Sequence, residues 1–193
     1  MTAYVNSITK TEIAQLPVEE YTGRVMVIDT EADAEKAVEY LAKHKIVGFD
    51  TETKPSFKKG QRHKVALIQL CTEEICFLFR LNHMGFPKAL KEFVAGEDTM
   101  KIGLSLRDDF NAMKKRTHVE PANFVDLQNV VGSYGIEDFS LQKIYAILFG
   151  KKISKGQRLT NWEAEVLSES QKKYAALDAW ACLRIYNQLN QKK

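Results

Sequence analysis

The sequence IVGFDTE at residues 46–52 decides the fold of this chain, together with KVALIQLC at 64–71 and ICFLF at 75–79. All three runs combine β-branched residues with other apolar residues, a composition that favours strands. A short polar turn separates the second run from the third, which is typical of a β-hairpin. We therefore predict a strand at 46–51, then a basic loop, then a hairpin.

Helix and strand signals alternate along the rest of the chain. Thr30 provides the cap of a predicted helix that follows a strand at 25–28 and runs to residue 43. After the hairpin, the sequence predicts a helix at 87–94, a strand at 101–104, a helix at 107–116, an extended segment at 124–125, helical structure from Ser140, and a long helix from the capping box of Ser168 and Gln171 to about residue 190. This order predicts an α/β fold with a mixed sheet.

The composition is that of one globular domain of 193 residues. Hydrophobic residues make up 45% and charged residues 27%, which excludes a disordered or fibrous chain. We find no apolar run near the roughly 20 residues that cross a bilayer, and no secretory signal at the start. Cys71, Cys76 and Cys182 are too few for a disulfide scaffold, so we expect small buried side chains in a reducing, cytoplasmic environment.

The charge is unevenly distributed. The net charge is only +3, but residues 1–40 carry eight acidic and three basic side chains, so the remainder is strongly basic. Most of the excess lies at 54–64, 101–116 and 143–158. Such segments bind phosphates in nucleic-acid-binding proteins, and the alternative is that each is a solvated loop.

Asp50 and Glu52 are two residues apart at the end of the strand predicted at 46–51. On a strand, both side chains would leave the same face about 6 to 7 Å apart and repel each other. The alternative is that the strand ends at Phe49 and the acids lie in a loop. A D-x-E pattern alone does not separate these alternatives.

Asp178 is a second acid in an unusual place, two to three turns inside the long C-terminal helix. Tyr174, Asp178, Ala181 and Ile185 follow one another at spacings of four, three and four residues. This spacing places all four on one face of the helix, which is predicted to be buried. An unpaired buried carboxylate is costly, so Asp178 must meet a cation, a hydrogen-bond donor or a solvent-filled cleft. A salt bridge with a lysine is the structural alternative.

A third acidic position is the predicted strand-to-helix turn at Asp108 and Asp109. Acids in the first turn of a helix often only complement the helix dipole. In combination with the D-x-E pair and Asp178, however, they form the kind of all-oxygen cluster that holds two Mg²⁺ or Mn²⁺ ions for phosphodiester chemistry.

These acids resemble, in order, the three motifs of the DEDD 3'-5' exonucleases: D-x-E at Asp50 and Glu52, an Asp within 103–113, and Y-x-x-x-D at Tyr174 and Asp178. The resemblance covers about residues 25–189. It is most evident toward the exonuclease domain of the Werner syndrome protein, and more distant toward ribonuclease D, through KVALIQLC at 64–71, Asn161-Trp162 and QKKYAALDA at 171–179.

The middle motif departs from the family pattern, which often has an Asn or an aromatic residue before its Asp. Here LRDD at 106–109 leaves two candidates, and aligning Gly103 and Met113 with the family positions selects Asp109. Lys173 stands where the other branch of the family has a histidine, so the resemblance is to the tyrosine branch.

The resemblance implies a ribonuclease H-like α/β fold, with a mixed five-stranded sheet flanked by helices. We expect the exonuclease domain at residues 23–193 and an N-terminal extension at 1–22. The sequence shows no helicase, polymerase or HRDC-type segment, so we expect a stand-alone nuclease domain.

The resemblance also implies a metal-dependent 3'-5' exonuclease that releases nucleoside 5'-monophosphates from DNA or RNA. Asp50, Glu52 and Asp178 would hold one of two divalent cations, Mg²⁺ or Mn²⁺, beside the attacking water. Asp50 would also reach the second cation, which Asp109 would support through water. The phenol of Tyr174 stays protonated at neutral pH, so we expect it to position the nucleophile rather than bind metal.

The expected partner is nucleic acid, either single-stranded or 3'-recessed DNA, or RNA, with no membrane and no stable protein partner. The basic loop at 54–64 predicts phosphate contacts from Lys58, Lys59 and Arg62. Phe57 or Trp162 would stack on a terminal base, with core packing as the alternative for Trp162. The competing function is a catalytically inactive exonuclease-like binding module, against which the presence of all four acids and the tyrosine argues.

Overall fold

A computed structural model of the chain describes residues 4–58, 60–61 and 63–191. The strands are Arg24–Ile28 (β1), Ile46–Thr53 (β2), Val65–Cys71 (β3), Ile75–Arg80 (β4), Met100–Gly103 (β5) and Phe124–Asp126 (β6). The α-helices are Lys10–Gln15 (α1), Glu31–Leu41 (α2), Leu81–Met84 (α3), Lys88–Ala95 (α4), Leu106–Lys114 (α5), Leu141–Phe149 (α6) and Glu169–Asn190 (α7). Two 3₁₀ helices, Leu127–Asn129 and Val131–Tyr134, follow β6.

The strands form one mixed sheet in the order β1-β4-β3-β2-β5-β6. The strand β3 runs antiparallel to its neighbours β2 and β4, whereas the other three pairings are parallel. This is the predicted α/β arrangement, with six strands in place of the expected five. The additional pairing comes from β6, which the sequence indicated only as a short extended segment and which hydrogen-bonds to the edge of β5.

Helices cover both faces of the sheet, because alternate side chains of the central strands point to opposite sides. Leu67 of β3 packs in a core cluster that includes residues of α6 and α7. Its neighbour Ile68 packs in a second cluster that includes residues of α2, α4 and α5. The long helix α7 therefore lies across one face, and the shorter helices cover the other.

Most predicted element boundaries agree with the structure to within a few residues. The exception is the helical structure predicted from Ser140, because α6 ends at Phe149 and residues 150–168 form no helix before α7. Thr30 accepts a hydrogen bond at the start of α2 as predicted, although this helix ends at Leu41 rather than at residue 43. Ser168 and Gln171 form the predicted capping box of α7. The strand β2 continues past Phe49 to Thr53, so the alternative that Asp50 and Glu52 lie in a loop is wrong.

The cysteines differ from expectation in one respect. All three are buried as predicted, but Cys71 and Cys76 form a disulfide, and only Cys182 is free. These two residues are directly paired across the β3–β4 hairpin, which brings their Cα atoms to 4.0 Å. Within the described ranges, no helix combines the length and the apolar character needed to cross a membrane.

Candidate active site

The site is built where α7 crosses β2. Gly48 permits this crossing, because a Cβ atom at that position would lie 2.0 Å from the carbonyl oxygen of Ala179 on α7. Side chains two and four residues further along β2 leave the same face as Gly48. The close approach therefore brings Asp178 of α7 next to Asp50 and Glu52.

The three carboxylates converge on one point. Each of Asp50, Glu52 and Asp178 offers an oxygen atom, and these three atoms lie within 4.8 Å of one another. Asp178 is only 8% exposed, and its Oδ1 atom is buried without a hydrogen-bond partner. Carboxylate oxygens are the preferred ligands of Mg²⁺ and Mn²⁺, and the unsatisfied oxygen is one that a cation would satisfy. The residues present therefore fit a divalent metal site.

Asp109 joins this group from α5. Its charge raises the pKa of both Asp50 and Glu52, so it lies near them, and it accepts a hydrogen bond from the hydroxyl of Thr51 on the opposite face of β2. Asp108, one residue earlier, is exposed to solvent. The structure thus places Asp109, rather than Asp108, near the other three acids.

The turn before α5 has its own anchor. Ser105 adopts a left-handed conformation with φ of 59° and gives the helix no side-chain cap. The carboxylate of Asp126 instead accepts hydrogen bonds from the backbone nitrogens of Ser105 and Leu106, at 3.1 and 2.9 Å. Asp126 therefore fixes the first turn of the helix that carries Asp109.

Burial raises the pKa of every acid in the cluster, and neighbouring negative charges raise it further for Asp50, Glu52 and Asp109. Burial and the neighbouring charges of Asp109, Asp178 and Glu52 raise the pKa of Asp50 well above its usual range. Burial, followed by the charges of Asp178 and Asp109, raises the pKa of Glu52 to about 9. Burial raises the pKa of Asp178 to about 7 and that of Asp109 to about 6. The cluster of acids therefore favours the binding of a cation or of protons.

Tyr174 stands one turn before Asp178 on α7. Its hydroxyl lies close enough to the Asp178 carboxylate to lower the pKa of that group by hydrogen bonding, opposing the effect of burial. Burial and the charges of Asp178 and Glu52 raise the pKa of Tyr174 itself, so the phenol is neutral. A neutral phenol beside the carboxylates can orient a water molecule but is a poor metal ligand.

An open cleft of about 450 Å³ lies against Asp178 and Tyr174. Its lining includes Phe139 and Ser140 of the loop 136–140, which we call the first wall, and residues 153–155 and Arg158 of the loop 150–158, which we call the second wall. The positive charges of Lys155 and Arg158 lower the pKa values of Asp178 and Glu52, respectively. Lys155 and Arg158 therefore line the cleft and place positive charge near the acids.

The predicted substrate-binding residues differ in their exposure to solvent. Phe57 is 81% exposed and borders a second groove with Lys58 and Leu159, so its ring is available for stacking. Trp162 is completely buried against the ring of Tyr174, with ring centroids 6.0 Å apart. Its position corrects the expectation of base stacking and supports the packing alternative. Lys59 and Arg62 lie outside the described residues.

Three residues at the site escaped the sequence analysis. Thr51 has a visible signal, because it lies between the two acids of the D-x-E motif. Lys155 and Arg158 belong to the basic segment 143–158, but nothing in the sequence distinguishes the cations of that segment that face the acids.

The raised pKa values predict how metal and pH affect stability. Carboxyl groups in an unfolded chain titrate near pH 4, so above this pH the folded protein without metal holds more protons than the unfolded chain. Stability in EDTA should therefore fall as the pH rises toward about 9, the pKa of Glu52. Mn²⁺ requires ionised carboxylates, so its stabilising effect should grow over the same range. Melting temperatures from pH 5 to 9, with EDTA or Mn²⁺, check this, and a pH-independent gain from Mn²⁺ would contradict it.

Comparison with known proteins identifies the family. A family model described as 3'-5' exonuclease matches residues 25–193. The chain is 37% identical over 150 residues to the mouse bifunctional 3'-5' exonuclease/ATP-dependent helicase WRN, a match that covers 75% of this chain and 11% of the mouse protein. The chain thus corresponds to a small part of that relative.

Solved structures share the fold. The EXO domain of Nibbler from Aedes aegypti superimposes with a TM-score of 0.80 at 22% identity, covering 91% of this chain and 92% of that one. RNase D from Escherichia coli, an exoribonuclease, superimposes with a TM-score of 0.79 at 21% identity, covering 88% of this chain and 45% of that one. With the family match over most of its length and three carboxylates that converge on one point, the chain belongs to the 3'-5' exonuclease domain family.

Proposed function

We propose that this protein is a metal-dependent exonuclease that removes nucleotides from the 3' end of DNA or RNA and releases nucleoside 5'-monophosphates. The observation that carries the proposal is the convergence of Asp50, Glu52 and Asp178 within 4.8 Å, with Tyr174 beside them, in a chain of the 3'-5' exonuclease family. The catalytic domain comprises residues 23–193, with residues 1–22 as an N-terminal extension. We propose nucleic acid as its partner and the cytoplasm as its location. The cysteines do not support this location, because Cys71 and Cys76 form a disulfide.

The acids are proposed to hold two divalent cations, Mg²⁺ or Mn²⁺. Asp50, Glu52 and Asp178 would hold one of them, Asp50 would also contact the second, and Asp109 would support the second through water. Bound there, the cations would lower the pKa of the attacking water and neutralise charge on the phosphate. The role of the protein is to keep four carboxylates in place, and the hydrogen bond from Thr51 to Asp109 contributes to this.

Other side chains complete the reaction. Tyr174 would orient the attacking water, which adds to phosphorus while the bond from phosphorus to the 3' oxygen of the preceding nucleotide breaks. That oxygen takes up a proton and becomes the new 3' end. Lys155 and Arg158 place positive charge near the acids and would bind the phosphate of the bound strand. Phe57 would stack on a base near the 3' end.

The test uses single strands of DNA and of RNA labelled at the 5' end, incubated with the protein in Mn²⁺, Mg²⁺ or EDTA. The proposal predicts a ladder of shortened labelled strands with either metal ion and intact strands in EDTA. Binding without any shortening in either metal ion would indicate the inactive binding module instead. Comparison of the DNA and RNA ladders determines which sugar is preferred.

The basic loop is predicted to bind phosphates. Substituting Lys58, Lys59 and Arg62 together with alanine should weaken substrate binding and reduce the slope of log affinity against log salt by up to about three units, since each contact releases about one counterion. The catalytic rate should change little. Fluorescence anisotropy of a labelled strand across a salt series measures the slope. An unchanged slope would mean that the loop is only a solvated surface.

A further inference from the structure

The N-terminal segment, residues 4–22, reaches the walls of the proposed cleft. The first wall is the loop 136–140, which contributes Phe139 and Ser140 to the cleft. The backbone nitrogen of Glu137 donates to the carbonyl oxygen of Asn6 at 2.8 Å. The backbone nitrogen of Ile8 donates to Oδ2 of Asp138 at 2.9 Å. Both contacts lie within two residues of Phe139.

The second wall is the loop 150–158, which contributes residues 153–155 and Arg158. Lys152 makes hydrogen bonds to the N-terminal segment through both its backbone and its side chain. Its nitrogen donates to the carbonyl of Pro17, and its carbonyl accepts from the nitrogen of Glu19, both at 2.9 Å. Its Nζ atom donates to the carbonyl of Ala14 at 2.6 Å. Lys155, which faces Asp178, follows three residues later.

Glu19 ties this contact to the helices behind the site. Its side chain is 7% exposed and accepts hydrogen bonds from Tyr145 of α6 at 2.7 Å, from Lys151 at 3.0 Å and from Arg184 of α7 at 2.8 Å. The guanidinium of Arg184 lies 4.4 Å from the ring centroid of Phe149. Glu19 therefore joins the second wall to both helices, including the one that carries Asp178.

We propose that the N-terminal segment is a strap that positions both walls of the cleft and thereby sets the affinity for the 3' end of the substrate. This proposal rests on the proposed function. The acids stand on β2, α5 and α7, and the strap hydrogen-bonds to α7 at Arg184, six residues beyond Asp178, whereas the loops that would touch the substrate are attached to the strap directly. Moving these loops would weaken contacts that the substrate makes before and during the reaction alike. Such a loss raises KM and leaves kcat nearly unchanged.

The experiment uses the whole chain with Glu19→Gln, which keeps the shape of the side chain but removes its charge beside Lys151 and Arg184. Misplaced binding groups commonly cost large factors in affinity, so KM for a single-stranded oligonucleotide should rise by about 5- to 20-fold, with kcat within about twofold of wild type. Glu12→Gln is the matched control, because Glu12 is exposed, caps α1 through Thr9 and contacts neither wall. It should leave KM and kcat unchanged.

A second variant makes the test independent of the ion pairs of Glu19. A chain that begins at residue 9 lacks Asn6 and Ile8 but retains α1 and Glu19, so the first wall is released while the second stays attached. The same truncation removes Tyr4, which packs against the core cluster of α6 and α7, so its melting temperature is measured beside KM. Its KM should also rise, by about 3- to 10-fold. Circular dichroism confirms that each variant is folded at the assay temperature. Anisotropy of a labelled strand in Ca²⁺ provides the dissociation constant independently of turnover, and we expect it to rise with KM.

The outcomes separate the two proposals. If both folded variants keep KM and the dissociation constant within about twofold of wild type, or if kcat alone falls, the strap does not position the cleft. If the wild-type chain neither cleaves nor binds either nucleic acid, the proposed function fails together with the strap. A defect in the variants alone supports the strap.

Discussion

Asp178→Ala is expected to lower the rate of cleavage by more than about 1000-fold, because a ligand of the proposed metal site contributes several kcal/mol to stabilising the transition state. The same substitution should not lower the melting temperature in EDTA. Asp178 is buried with one unsatisfied oxygen, and its removal relieves repulsion with Asp50 and Glu52. Initial rates at saturating Mn²⁺ and melting curves in EDTA measure the two effects. Asp50→Ala should behave in the same way.

Asp108→Ala is the matched control for this experiment. Asp108 is exposed one residue before Asp109, so its loss should leave both the rate and the melting temperature close to wild type. A variant at Asp50 or Asp178 that keeps more than about a tenth of the wild-type rate at saturating Mn²⁺ would remove that residue from the proposed metal site.

Tyr174→Phe should lower kcat by about 10- to 1000-fold, on the order of 1.5 to 4 kcal/mol in the activation free energy. The phenol is neutral and lies beside the Asp178 carboxylate, where its hydroxyl can orient the attacking water. The ring packs on Trp162, and phenylalanine keeps this contact. Metal and substrate affinity should therefore stay near wild type. Single-turnover rates at saturating Mn²⁺ isolate the chemical step.

Tyr186→Phe serves as the control for Tyr174, because it removes a hydroxyl from the same helix three turns further on. Its single-turnover rate should equal that of wild type. If Tyr174→Phe also stays within about twofold of wild type, Tyr174 is only a packing residue of α7, and positioning of the nucleophile must come from elsewhere.

Local sequence patterns predict most of the fold. Apolar runs with polar turns locate β2, β3 and β4, and the capping boxes locate the starts of helices, because these signals act over a few residues. The helix α1 shows the same signal, since Thr9 and Glu12 form a capping box, and it was missed for want of a long apolar stripe. The pairing of β6 with β5 joins segments about 20 residues apart, which no local pattern determines.

The four acids were predictable through their motifs, but their surroundings were not. Trp162 is buried because a loop folds over α7. A tryptophan is equally suited to core packing and to stacking on a nucleic-acid base, so its residue type does not predict which role it has. Glu19 meets Arg184 across 165 positions of sequence. The disulfide between Cys71 and Cys76 depends on the register of the hairpin, which makes them direct partners. Each of these features depends on long-range packing.

The most direct test of the central claim is to let the protein degrade a DNA or RNA strand in water enriched in ¹⁸O, with Mn²⁺, and to analyse the released nucleotides by mass spectrometry. The proposed reaction predicts nucleoside 5'-monophosphates released from the 3' end, each carrying one ¹⁸O atom, and none with Asp178→Asn or in EDTA. Release of 3'-phosphates, of internal fragments, or of no nucleotide at all in Mn²⁺ would contradict it.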